Sequence, residues 1–131
     1  MLLPPDQWVQ SADYLYGIDL YNYAYWWECH EVFEELWNAA GHHSDQGNFF
    51  QAIIQLAAAN LKLSMGSHQS AHNLLERGVI RLQRVPESYM GVDVAGLTKD
   101  LRQRIVGSTL HAPRIRLNER EWGEASRPDS R

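Results

Sequence analysis

The chain holds one cysteine, Cys29, in 131 residues. A lone thiol excludes an internal disulfide and a cysteine-built zinc cage, and it fits a reducing compartment. Long apolar runs are missing too: the most apolar stretch, "AIIQLAAANL" at 52–61, is interrupted by Gln55 and Asn60 and is too short to span a bilayer. The opening "MLLPPDQW" has neither a basic segment nor a long apolar one, so it does not read as a signal peptide. Positive charge is in deficit, with a net charge of -4, the wrong sign for a nucleic-acid or anionic-membrane partner. No Gly-rich phosphate loop, Ser-His-Asp order or nucleophile elbow occurs, and no stretch alternates at period two for long enough to make a substantial strand. These absences lead to the expectation of a cytoplasmic protein without nucleic-acid or membrane partners.

What is present reads as helix. Hydrophobic residues make up 44% of the chain, enough for one core at this length. Asp6, after two prolines, is expected to cap a first helix running to about Tyr21. "YNYA" makes a turn, and a second helix is expected from near Tyr25 to Ala40, ended by the turn-rich "GHHSDQGN". The third, from about Asn48 to Ser64, is apolar on nearly every face and reads as a central buried helix. After "MGS", Ser67 is expected to cap a fourth helix reaching about Val85, before Pro86. "ESYMGV" reads as loop, and Asp93 caps a fifth helix carrying Leu97, Leu101 and Ile105, with Gly107 closing it. "APRIRL" then reads as an extended strap and "GEASRPDSR" as a frayed tail. The expected fold is all-α: a compact bundle of about five helices built from antiparallel helix-turn-helix hairpins. It forms one domain over 1–117, with a partly disordered tail over 118–131.

A shift of 42 residues places Tyr23-Ala24 on Met65-Gly66, Cys29 on Ala71, His30 on His72, Phe33 on Leu75 and Glu34 on Glu76. Two such hairpins would resemble tetratricopeptide-like packing, though two units are too few for a solenoid and coincidence stays open as the other explanation.

The stretch "WECHEVFEELW" at 27–37 sets a histidine and four carboxylates between two tryptophans. At about 100° per residue, Trp26, Trp37 and Glu34 fall within about 40° of His30, and Trp27 at about 60°. Cys29, Val32, Leu36 and Ala40 gather on a separate aliphatic face, with Phe33 near its edge. The helix is therefore expected to have two faces away from water. Burial raises a carboxyl pKa and lowers that of imidazole, while pairing favours both charged forms, which suits either a tuned acid–base pair or a buried ion pair. Gln51, Gln55 and Lys62 on the third helix offer polar partners.

"LYNYAYWWECHEVFEELW" followed by "FFQAIIQLAAANLKL" resembles the family catalogued as domain of unknown function 309. Asn22, His30, Glu31, Glu34 and Trp37 match the first part of its signature; Gln55, Ala71, Leu74 and Leu75 match the later helices, and "YMGVDVAGL" is similar to its closing segment. The likeness covers about residues 10–117. Ala24 stands where glycine is usual and Cys29 where alanine is usual. The resemblance implies a helical fold in a prokaryotic or plastid setting, with no established activity.

Three chemistries fit the motif. His-Glu-x-x-Glu lacks the second histidine of the zinc-peptidase motif, but His30 and Glu34 could ligate a divalent metal (zinc, nickel or manganese), with His68, His72 or Gln55 completing the shell. Alternatively Glu34 or Glu31 is a general base and His30 its partner, in a pocket lined by Trp26, Trp27, Trp37, Gln55 and Asn22 that would take a small-molecule ligand. Acid–base or metal-assisted hydrolysis is then the reaction class. The third chemistry is a buried hydrogen-bonded network that fixes helix register. In that case five tryptophans and six tyrosines point to a non-catalytic interaction protein whose hairpin faces bind a protein partner or a second copy, as a homodimer. The remaining candidates read blandly: His42-His43 as a wet loop, His68 and His72 as boundary residues, Arg77, Arg81 and Arg84 as a solvated stripe, and Cys29 as a small core residue.

Overall fold

The computed structural model describes residues 2–107 and 113–118. A short 3-10 helix (Pro5–Gln10) leads into α1 (Ala12–Asn22), α2 (Trp26–Ala40), α3 (Asp45–Ser64) and α4 (His68–Leu82). A two-residue hairpin, β1 (Ser88–Tyr89) with β2 (Val92–Asp93), precedes α5 (Val94–Gly107). The chain is an all-α bundle, and among the described residues no helix is long and apolar enough to cross a membrane. Successive helices pack as neighbours, α1 on α2, α2 on α3 and α3 on α4, with α5 against α4.

Several expected boundaries move. The single first helix is divided, because Gln7 leaves helical geometry and Ser11 turns extended. The Ser11 hydroxyl then accepts from the Tyr14 N–H at 3.3 Å and starts α1 afresh, while the 3-10 segment buries Trp8. Asp6 therefore sits in the first turn of that short helix and caps nothing. α3 begins earlier than Asn48, because Ser44 caps it through Gly47 N–H at 2.9 Å. Ser67 precedes α4 but makes no side-chain cap, and α4 stops at Leu82, short of Val85. The loop "ESYMGV" contains the antiparallel pairs Ser88↔Asp93 and Tyr89↔Val92. Met90 (φ 47°) and Gly91 (φ 79°) take the left-handed conformations that a two-residue hairpin turn requires. Asp93 does cap α5, accepting from Gly96 N–H at 3.0 Å.

α3 is the core. Phe49, Phe50, Ala52, Ile53, Leu56 and Ala57 on it are fully buried. Tyr14 of α1 packs edge-on or tilted against Phe33, Phe49 and Phe50, and its hydroxyl donates to the Met90 carbonyl at 2.9 Å. The strap lies as expected. Ile115 is buried, Leu117 bridges Val92, and Asn22 holds Ile115 from both sides, its amide donating to the carbonyl at 2.9 Å and accepting from the N–H at 2.8 Å. The tail read at 123–131 lies outside the described residues.

The 42-residue repeat is present in the backbone. Both bounds of α4 lie 42 residues after those of α2. Ala24 and Gly66 occupy equivalent turn positions with φ 67° and 81°, and the residues that follow them, Tyr25 and Ser67, share φ −88° with ψ 71° and 73°. Each turn closes with the same pair of bonds: Tyr25 N–H to Leu20 carbonyl and Ala24 N–H to Tyr21 carbonyl, then Ser67 N–H to Lys62 carbonyl and Gly66 N–H to Leu63 carbonyl. This is a Schellman ending, whose left-handed residue is usually glycine. An alanine there carries strain that glycine does not. Ala24→Gly is expected to raise stability by about 0.5–1 kcal/mol and Gly66→Ala to lower it by about 1 kcal/mol, both read from urea denaturation midpoints. Equal and opposite failure of the two would show that the turns are not equivalent.

Candidate functional site

α2 buries Cys29, Phe33 and Leu36, because α1 and α3 both pack onto that side. Gly17 sets the approach of α1, since a Cβ there would meet the Phe33 ring. His30 lies at the border of this face. Its ring stacks on Trp27, with centroids 5.6 Å apart and planes within 2°. His30 Nε2 is 4.0 Å from Glu34 Oε2, and the two side chains are 27% and 53% exposed. Trp27 is 56% exposed, and Glu28, Glu31, Glu34 and Glu35 all face water.

The second non-solvent face expected for this helix is therefore not there. α2 lies at the flank of the bundle: Trp26 and Trp37 are half-buried against the core, while Trp27, among the described residues, stands open beside His30. The expected wall of three indoles is dispersed. Trp26 packs edge-on to Tyr21 at 5.2 Å and lines a different cleft with Asn22. Trp37 stacks on His42 at 3.8 Å, with its indole N–H buried and without a partner; His42 is thus part of a packed cover over Trp37. Gln55 holds its side-chain carbonyl buried and unpartnered on α3. Asn22 is engaged by Ile115. Of the sequence-predicted residues, the structure gathers Trp27, His30 and Glu34, with Glu31 on the same exposed stripe, and carries Asn22, Trp26 and Trp37 elsewhere.

An ion pair this open contributes little to stability, and two ligands are fewer than the three a catalytic zinc needs. Among the described residues no three His, Cys, Asp or Glu side chains stand close enough to share a metal ion. The repeat places an equivalent pair on α4, His72 Nε2 and Glu76 Oε1 at 3.4 Å, again partly in water.

Charge is unevenly divided along the chain. The first 61 residues contain half of the chain's 16 acidic residues and neither lysine nor arginine; all 12 basic residues begin at Lys62. A net charge of -4 averages this division away, whereas a running charge along the chain displays it.

Residues 14–74 match the family model described as "Domain of unknown function (DUF309)". The matched stretch is similar to that family. The matched segment runs from α1 into α4 and includes Asn22, the whole of α2 and Gln55; the likeness read from the sequence as far as residue 117 is matched only to residue 74. No curated protein matches the chain. The family description assigns no activity.

Buried acids in this domain give a clear pH expectation. Burial pushes the Cys29 thiol up from 9.0 to about 12 and the Tyr89 phenol up to about 12, with Asp45 adding to the second. Burial also raises Tyr14 and Tyr21. In each case the fold disfavours the charged form. Stability is therefore complete below the ordinary pKa values and is lost as pH rises from about 9 towards 12. Urea midpoints are expected to stay flat between about pH 7 and 8.5 and to fall above about pH 9.5. A thiol reagent at about pH 8 should leave Cys29 unmodified until urea unfolds the chain.

Proposed function

We propose that the protein is a non-catalytic helical interaction module that binds a Lys/Arg-rich segment of a partner protein along the outer face of α2. The observation that carries this reading is the exposure of Trp27, Glu31, Glu34 and Glu35 on one stripe, at spacings that keep them within about 100° of arc. No lysine or arginine lies within α2 or anywhere earlier in the chain. A helix face of one sign steers and orients an oppositely charged segment, and an open indole beside it takes a lysine or arginine head by cation–π contact. Stacking by His30 fixes the Trp27 ring in advance, so less side-chain freedom is lost on binding.

The competing catalytic reading asks His30, Glu31 or Glu34 to hold a proton poised near neutrality. That tuning comes from desolvation or close charge, and the carboxylates here stand in water. A metal reading of His30 and Glu34 needs a third ligand, and none of the residues named for it from the sequence (His68, His72, Gln55) joins them in a three-ligand group. The same exposure that weakens both of these readings supports an interface.

Anisotropy of a fluorescein-labelled oligo-arginine peptide tests the proposal at physiological salt. Glu31→Lys/Glu34→Lys is expected to weaken binding at least about tenfold and Trp27→Ala several-fold. A control pair on the other half of the chain, Glu87→Lys/Asp100→Lys, should change it little. Equal losses in both double variants would reduce the effect to bulk charge and sink the reading. Sedimentation completes the test: a dimer abolished by Glu31→Lys/Glu34→Lys would make a second copy the occupant and replace the partner segment.

A further inference from the structure

We infer that a cleft at the turn end of the bundle binds a small molecule made of a flat apolar ring bearing an anionic group. It lies between the α1–α2 turn, the α3–α4 turn and the strap, and touches α2 at its first residue, Trp26. Its volume is about 440 Å³, within the range of small-molecule sites. Trp26, Tyr21 and Leu63 supply apolar walls, while Asn60, His68 and Arg114 supply polar ones.

Two properties distinguish this cleft from a packing gap. First, its lining is preorganised. Tyr21 is 1% exposed, its hydroxyl accepts from the Asn60 amide at 3.2 Å, and its ring holds Trp26 edge-on. A planar ligand would meet an indole already fixed in place. Second, the charge is selective. Among the described residues no carboxylate lines the cleft, although acidic residues outnumber basic ones in the chain by 16 to 12. Arg114 is a forked donor suited to a carboxylate or phosphate, and the His68 ring adds a hydrogen-bonding nitrogen.

Arg114 also lines a neighbouring cleft of about 500 Å³ together with Arg104. That cleft contains Asp93 and Asp100 and is the poorer place for negative charge. The first turns of α2 and α4, without side-chain caps, open on the same cleft as Trp26 and His68 and add to its positive potential.

Calorimetric titration of the full chain with phenyl phosphate, benzoate and the neutral benzamide tests this. One of the two anions is expected to bind with a dissociation constant below about 1 mM, and which one identifies the anionic group as phosphate or carboxylate. Arg114→Gln and His68→Gln, both at exposed positions, should weaken that binding at least about tenfold and a few-fold respectively without lowering the thermal midpoint. Benzamide binding as tightly as benzoate would overturn the anionic part. Failure of both anions to bind at about 5 mM, or unchanged affinity in Arg114→Gln, would overturn the site.

Discussion

The structure is organised by the need to cover α3. That helix is apolar around nearly its whole circumference, and eleven of its residues are buried. Burying each large side chain on it is worth about 1.5–3 kcal/mol, so every neighbouring element is placed by the requirement to shield it. α2 takes one flank and α4 the other, while Tyr14 of α1 seals Phe49 and Phe50 from behind. A helix serving as one wall around a central helix has a single buried face. The position of α3 is therefore what turns His30, Glu31 and Glu34 outward.

The two Schellman turns do the complementary work of fixing direction. Each lets the chain reverse with only one residue between left-handed and extended geometry, so α1–α2 and α3–α4 become copies of one hairpin in the backbone. Positions that must fill space are matched between the copies: buried Cys29 with buried Ala71, and Phe33 with Leu75, which packs against the same core. The histidine–glutamate pairs are matched as well, yet both lie at the surface. A residue pair that recurs at equivalent border positions, one turn apart on each helix, owes its geometry to the helix itself, because positions i and i+4 face each other on any α-helix.

The helices were legible because their apolar periodicity and turn residues are strong local signals. The break at Ser11 was harder to see, since two prolines and an aspartate imitate the start of a long helix, and only tertiary burial of Trp8 separates the two segments. The hairpin at Ser88–Asp93 was too short to produce alternation. Asn22 could not be placed by any local argument, because its partner, Ile115, is 93 residues away. The exposure of Glu31 and Glu34 is hidden from the sequence for a different reason. Angular bookkeeping shows which residues share a face, but it does not show whether another element covers that face. An aromatic face in the open and one in the core have the same period.

Charge separates the two hairpins where their backbones agree. α1 and α2 carry six carboxylates and no lysine or arginine, whereas α3 and α4 carry Lys62, Arg77 and Arg81 beside Asp45 and Glu76. Packing requires little of this difference: Arg81 donates to the buried Asn48 at 2.9 Å, but the other side chains are exposed, and exposed charges contribute little to stability. The shared frame is enforced by burial at Cys29, Phe33, Ala71 and Leu75 and by the left-handed turns. The outer faces are free of that constraint. The same division governs the strap, whose arginines at 114 and 116 project from a segment anchored through Ile115. The change of sign between the two halves of the chain is thus written on the outer faces alone: neither the core nor the left-handed turns would differ if the signs were exchanged.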